Sequence, residues 1–242
     1  MRLSRIHTTH ALAEGSTLPL SDETAHYLGK VLRVRPGDTF SLFNAQHGEF
    51  LASIVSVDKK HVTVQLGERV PCEADPGLPI HLGLGLSRGE RMDYAIQKAT
   101  EAGVSGITPL LTQRCEVKLR NERMETRLQH WQRIAISASE QCGRCAVPVI
   151  HAPETLGSWL QRTHEGLCFV LDHRAAKALS EHEETPASVT LLIGPEGGLS
   201  EDEVEQASTA GFHSLRLGPR VLRTETAPVI AIALLQQRWG DY

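Results

Sequence analysis

The sequence predicts an α/β protein in two parts: a small, mostly antiparallel β module, then a larger domain in which strands and helices alternate. Three observations carry this. Between Thr39 and Val70 three runs are rich in β-branched and aromatic residues, and their period-two alternation is clearest in His61-Val62-Thr63-Val64-Gln65-Leu66. Three prolines and a glycine then fall within Pro71 to Pro79, which reads as a linker. Beyond it, short apolar runs alternate with longer amphipathic stretches, the pattern of a mostly parallel sheet covered by helices.

The elements follow in order. Residues 21–32 read as a helix, capped by Ser21 or Asp22, with Ala25, Leu28, Val31 and Leu32 as its apolar stripe. Pro36-Gly37-Asp38 marks a turn. Strands are predicted over Thr39–Phe43, Phe50–Val57 and His61–Val70, together a compact β-barrel-type module. After the linker come a strand at Ile80–Leu86 and an amphipathic helix at Glu90–Ala102 closed by Gly103. A strand at Ile107–Leu111 leads to a long helix at Asn121–Gln141, and strands follow at Leu167–Leu171 and Val189–Ile193. A helix at Ser200–Ala210, a strand at Leu215–Leu217 and a helix at Glu225–Arg238 complete the pattern.

Bulk properties narrow the classes. With 40% hydrophobic and 22% charged residues, the 242-residue chain has the composition of a folded domain rather than a disordered one. Its formal net charge of −4 argues against nonspecific coating of nucleic acid, so an RNA partner has to be argued from local patches. Five scattered cysteines do not read as a disulfide framework. The N-terminal residues lead into no signal-like apolar run, and no window approaches the roughly 20 apolar residues of a membrane span. A reducing cytoplasm is the expected location.

Two segments carry chemistry. In Leu191-Leu192-Ile193-Gly194-Pro195-Glu196-Gly197-Gly198-Leu199-Ser200 a strand runs into a glycine-rich turn, where backbone can take positive φ and a ligand can approach closely. Ser200 and Glu203 then form a predicted capping box. Taken alone, the segment reads equally well as a plain tight turn. In Leu215-Arg216-Leu217-Gly218-Pro219-Arg220-Val221-Leu222-Arg223-Thr224-Glu225-Thr226-Ala227-Pro228 a second strand ends in Gly-Pro and a helix follows. Thr224 is the predicted N-cap, Glu225 suits the positive helix end, and Pro228 fits only the first turn. Two such turns at the C-terminal ends of parallel strands make a ligand crevice.

Other patterns carry less. Gly83-Leu84-Gly85-Leu86-Ser87-Arg88-Gly89 places its third glycine one position late for a dinucleotide fingerprint, and no P-loop is present. Cys142-Gly143-Arg144-Cys145 is one CxxC with no second pair, so no metal is expected. Basic residues cluster at Lys30, Arg33 and Arg35, at Arg88 and Arg91, and from Arg114 through Lys118 to Arg133, with Arg144 beyond. Such clusters could pin phosphates without reading sequence, although the long helix by itself reads rather as a solvated face with i,i+4 pairs.

Together the segments resemble one family. The pieces are His26-Tyr27-Leu28-Gly29-Lys30-Val31-Leu32-Arg33 with Gly37-Asp38, Gln97-Lys98-Ala99-Thr100-Glu101-Ala102-Gly103-Val104 and Ile107-Thr108-Pro109-Leu110. Glu140-Gln141-Cys142-Gly143-Arg144, Ile193 to Gly198 and Leu217 to Ala227 complete the set. In this order, over nearly the whole chain, they resemble the RsmE family of SPOUT-class methyltransferases. The one departure noted, Ala102 where leucine is common, touches packing rather than chemistry.

The resemblance implies a PUA-like RNA-binding β-barrel over residues 1–72 and a SPOUT methyltransferase domain with a mostly parallel sheet and a C-terminal trefoil knot over residues 73–242. It implies a homodimer, S-adenosylmethionine as cofactor, and methylation of N3 of a specific uridine, family position 1498, in the 16S RNA of the small ribosomal subunit. The cofactor residues it implies are Leu171, Ile193, Gly194, Pro195, Glu196, Gly197, Leu217, Gly218, Leu222, Arg223, Thr224, Thr226 and Ala227. Lys30, Arg33, Arg35, Arg88, Arg91, Arg114, Lys118, Arg144 and Arg220 are expected to meet RNA. Arg223 is the candidate for stabilising charge on the uracil and Glu225 for accepting the N3 proton, though Glu225 also reads as a plain helix-start residue. Two rivals stay open: a related enzyme methylating a ribose 2′-hydroxyl, and a non-enzymatic RNA-binding assembly factor.

Overall fold

The structure, a computed structural model, describes residues 4–20, 22–26, 28–29, 34–58, 61–72, 77–116, 121–175, 179–181 and 184–242. The chain divides into two compact units, Met1–Asp75 with Ser139–Val147, and Pro76–Ala138 with Pro148–Tyr242.

The first unit holds β1 (Arg5–His7), β2 (Thr17–Pro19), α1 (Asp22–His26), β3 (Thr39–Asn44), β4 (Gly48–Val57) and β5 (Val62–Val70). They form a five-stranded sheet in the order β1-β3-β4-β5-β2, with β1 parallel to β3 and the other pairs antiparallel. The alternation read from the sequence is realised in β5: Val62, Val64 and Leu66 enter a core with Ile6, Leu18, Phe40, Leu42 and Ile54. Burying each such side chain contributes about 1.5–3 kcal/mol. Two register shifts in β4, at Phe50/Ala52 and Ile54/Ser56, bend the strand over that core. Of the predicted helix over residues 21–32, Asp22–His26 form α1 and Leu28 and Gly29 lie in a wider helical turn, while Ser21, Val31 and Leu32 lie outside the described residues. Strands β1 and β2 went unpredicted because three residues give no periodicity to count.

The cysteines depart from expectation, since Cys72 and Cys145 are disulfide-bonded across 73 residues while Cys115, Cys142 and Cys168 are thiols. Spacing could not reveal this, because segment 139–147 joins the first unit only through tertiary structure.

The second unit contains β6 (Ile80–Gly85), α2 (Glu90–Glu101), β7 (Gly106–Leu111), α3 (Asn121–Cys142, its end counted with the first unit), β8 (Val149–Ile150) and β9 (Glu154–Thr155). It continues with α4 (Leu156–Leu160), β10 (Leu167–Leu171), β11 (Val189–Ile193), α5 (Glu201–Thr209), β12 (His213–Leu215) and α6 (Ala227–Trp239). The sheet order is β12-β10-β11-β6-β7-β8, with β9 also pairing β7, and every pairing is parallel. All five residues of β11 are buried, as a central parallel strand requires. In α2, Met92, Ala95, Ile96 and Ala99 form the buried stripe, and the helix closes where Gly103 takes φ 99°. The last strand is two residues earlier than predicted, because Leu171 pairs with Leu215 and the ladder ends there. The C-terminal ends of β6, β10, β11 and β12 therefore share one edge of the sheet.

Candidate active site

At that edge the two glycine turns converge on one cavity of about 440 Å³, within the range of small-ligand sites. Leu171, Ile193, Gly194, Pro195, Glu196, Gly197, Leu217, Gly218, Leu222, Arg223, Thr224 and Ala227 all line it. Thr226, also expected there, is instead the residue preceding α6. The first turn closes with Gly198 N–H donating to the Pro195 carbonyl at 2.8 Å, and Gly198 takes φ 68°. Gly218 takes φ 140°, and no protein atom stands within 4 Å of where a β-carbon there would lie. Both positions need glycine for backbone conformation.

A buried hydroxyl joins the turns. Thr224 Oγ1 donates to the Gly194 carbonyl at 3.0 Å, and it lies 3.3 Å from Ser87 Oγ, itself 3.4 Å from the Gly85 carbonyl. The predicted capping role of Thr224 is thus corrected: the N-cap of α6 is Thr226, without a side-chain bond, and Pro228 occupies the first turn as expected. Thr224 is taken by the neighbouring turn because its side chain is buried against Gly194 rather than facing the helix start. Ser87 went unnoticed in the sequence, since nothing local distinguishes a serine after a strand.

The capping box of α5 is present: Ser200 Oγ accepts Glu203 N–H at 3.2 Å and Glu203 Oε2 accepts Ser200 N–H at 2.9 Å. Glu203 also accepts Gln113 N–H at 2.7 Å, and Arg114 Nη1 donates to the Gly197 and Leu199 carbonyls at 3.1 and 3.3 Å. The segment after β7 therefore supports the first glycine turn from outside.

Charge gathers at the cavity rim. Glu196 pairs with Arg91 at 3.2 Å and accepts Arg88 N–H at 3.1 Å. Partial burial pushes its carboxyl up, but hydrogen bonds from its own N–H and that of Arg88, together with Arg91, outweigh this and leave it below the usual range. Arg220, Arg223 and Glu225 line the cavity from the second turn. Asp172, His173, Arg174 and Glu201 also line it, though the sequence reading missed them. Arg174 bridges Asp172 at 3.2 Å and Glu201 at 3.0 Å, and these partners raise its pKa. An acidic residue just past a strand end was the available signal.

The basic residues divide. Arg91, Arg114 and Arg220 line the cavity, and exposed Arg88 pairs with Glu116 at 2.9 Å. Arg35 is exposed in the first unit beside Asp38, which holds its backbone N–H at 2.6 Å. Arg144 is 3% exposed and packs inside the first unit, so it does not offer the phosphate-facing guanidinium expected of it. Lys30, Arg33 and Lys118 lie outside the described residues.

A parallel sheet whose glycine turns and arginines surround one cavity is the frame of an α/β enzyme that binds a small ligand at its strand ends, and the family match makes it an RNA methyltransferase. Residues 74–236 match the family model described as RNA methyltransferase domain, and residues 20–67 that described as RNA methyltransferase PUA domain. The chain belongs to the ribosomal RNA small subunit methyltransferase E family. It is 34% identical to that enzyme of Buchnera aphidicola subsp. Acyrthosiphon pisum over all of this chain and 96% of the relative. A methyltransferase of Legionella pneumophila, solved with its cofactor SAM, superposes with TM-score 0.96 at 40% identity over 100% of both chains. The methyltransferase E of Neisseria gonorrhoeae, bound to S-adenosyl methionine, gives 0.93 at 34% identity, again over 100% of both.

Proposed function

We propose that this chain transfers a methyl group from S-adenosylmethionine to N3 of one uridine, family position 1498, in the 16S RNA of the small ribosomal subunit. The observation that carries the reading is the convergence of both glycine turns on one cavity, joined by the Thr224 hydroxyl at the Gly194 carbonyl. The relatives bound to this cofactor span the whole chain.

The cavity fits such a group. Apolar Leu171, Ile193, Leu217 and Leu222 suit the faces of an adenine, and the glycine turns let backbone lie close to it. When bound, the cofactor supplies an electrophilic methyl on a sulfonium. The chain's own residues then position the uracil in line and exclude water. The proton on N3 must leave as the bond to carbon forms. Arg223 stabilises the negative charge that develops on the uracil carbonyls, and Glu225, half-buried on the same loop, accepts the proton. Arg35, Arg88, Arg91 and Arg220, with Lys30, Arg33 and Lys118, hold flanking phosphates, and the residue 1–72 module contributes RNA affinity. Arg114 serves the first turn as well. The family's trefoil knot belongs to the 73–242 domain.

The active form is a homodimer in the cytoplasm. Helix α6 is apolar on several sides, with Val229, Ile230 and Ala233 half-buried and Leu234 exposed, as a helix covered by a second copy is. No helix among the described residues is long and apolar enough to cross a membrane.

The test is labelled methyl transfer to unmodified small subunits and to the same RNA stripped of protein, with the product mapped by mass spectrometry. A single N3-methyluridine is expected. A 2′-O-methyl product would move the reading to a ribose methyltransferase, and no cofactor binding would move it to an assembly factor. Arg223→Ala should lower turnover about 10²–10³-fold, as loss of a charge-stabilising donor does; full turnover would remove the role.

A further inference from the structure

We propose that Cys72 and Cys145 form a thiol–disulfide exchange site for a small-molecule dithiol or disulfide, and that its redox state sets how firmly segment 139–147 is held in the N-terminal unit.

The bonded pair stands within a built polar cluster. Cys145 is 2% exposed, whereas Cys72 is half-buried and so the less buried of the two. Arg5 Nη2 lies 3.8 Å from Cys145 Sγ and also binds the Arg144 carbonyl at 3.1 Å. Arg5 Nη1 donates to the Ser139 and Glu140 carbonyls at 2.9 and 3.3 Å. His7 N–H donates to Glu140 Oε1 at 3.0 Å. One guanidinium, one carboxylate and one disulfide therefore tether the whole segment to β1 and to the chain beyond β5.

The asymmetry gives exchange a direction. A dithiol thiolate attacks Sγ of Cys72, the less buried partner, and forms a mixed disulfide. The sulfur–sulfur bond breaks and Cys145 leaves between the Arg5 guanidinium at 3.8 Å and the Glu49 carboxylate at 3.9 Å, taking up a proton so that its S–H donates to Glu49 Oε2. The second thiol of the reagent then displaces Cys72, and the reagent leaves as a cyclic disulfide. Two electrons and two protons pass to the cysteine pair, and oxidation by a small disulfide runs the same steps in reverse.

A metal is the competing use of this cluster, because Glu49, Cys72 and Cys145 bring ligand atoms within 4.8 Å of one another. Glu49 is committed elsewhere: Arg5 Nε lies 3.1 and 3.0 Å from its two oxygens, Arg5 Nη2 2.9 Å from one, and Ser41 Oγ donates to the other at 2.5 Å. A second cation beside a buried guanidinium is repelled. Disulfides in a reducing compartment are mostly transient and redox-sensing, which fits exchange better than a permanent staple.

The test begins with protein purified without reductant, denatured in an alkylating agent and mapped by mass spectrometry. Three alkylated cysteines, Cys115, Cys142 and Cys168, are expected with a Cys72–Cys145 peptide pair, and five after dithiothreitol. Amide exchange over residues 139–147 should quicken at least several-fold on reduction, and dithiothreitol should leave it unchanged in Cys72→Ser. With oxidised glutathione, Cys145→Ser should be captured at Cys72, while Cys72→Ser should not be captured at Cys145. Five alkylated cysteines before reduction, stoichiometric zinc in the reduced protein, capture at Cys145 instead of Cys72, or exchange indifferent to reduction would each overturn the proposal.

Discussion

Thr224 shows how a single side chain can hold a site together. Its buried hydroxyl crosses 30 residues of sequence to the Gly194 carbonyl. Thr224→Val keeps the shape and removes the donor, which leaves a carbonyl unpaired at a cost of about 1–3 kcal/mol. Calorimetric titration should show cofactor affinity down several-fold or more, with the fold intact by circular dichroism. Unchanged affinity would mean that the turns hold their places without the hydroxyl. Gly85 belongs to the same packing, because a β-carbon there would collide with the Pro195 backbone. The sequence marked Thr224 as important for the wrong reason, since a threonine before a helix reads as a cap whenever its tertiary partner is out of view.

At the scale of elements, α5 and α6 make different demands. The start of α5 is a local device, legible as Ser-x-x-Glu, yet Glu203 also accepts Gln113 N–H from the segment after β7. Ser200→Ala should therefore cost about 1 kcal/mol in urea unfolding, the value of a lost cap. Glu203→Ala should cost about 1–3 kcal/mol more, because it also strips the partner from a backbone donor. Equal losses would mean that the bond to Gln113 contributes nothing. Helix α6 is apolar beyond what one core can cover, with Leu234 exposed near its end. Leu234→Glu should shift sedimentation from dimer to monomer at micromolar concentration, and a wild type that sediments as a monomer would remove the dimer from the proposal.

For the molecule as a whole, half-buried histidines should tie stability to pH on the acid side. Burial lowers His7 in the first unit. In the second, burial lowers His164 against the opposing bond from its Nε2–H to the Trp159 carbonyl, with Arg162 adding to the depression. Each takes up a proton less readily when folded than when unfolded. The stability they contribute is present above the unfolded value of about 6.5 and is lost as pH falls through the lower folded values. The thermal midpoint should fall as pH drops below that point, and His164→Gln should flatten the slope even if it lowers the midpoint at neutral pH. Glu140 works in the opposite sense. Burial raises its carboxyl despite the bond from His7 and the charge of Arg5, so its contribution grows as pH falls. A midpoint that stays level through this range would show that histidine burial does not govern acid stability.

The sequence by itself determined the alternation of strands and helices, the break after the β-rich module, the capping box and the two glycine turns. Each rests on neighbours within a few residues, where periodicity, capping and turn chemistry act. Only the tertiary structure decided that Thr224 bonds Gly194, that Arg114 holds the Gly197 turn, that Arg144 is buried, and that Cys72 meets Cys145 across 73 residues. It also decided the sheet order, which brings β6, β10, β11 and β12 to one edge. The physical reason is range. Backbone preferences act locally and leave their mark in spacing, whereas a side chain's partner depends on which distant segments the core draws together, and no local pattern records that.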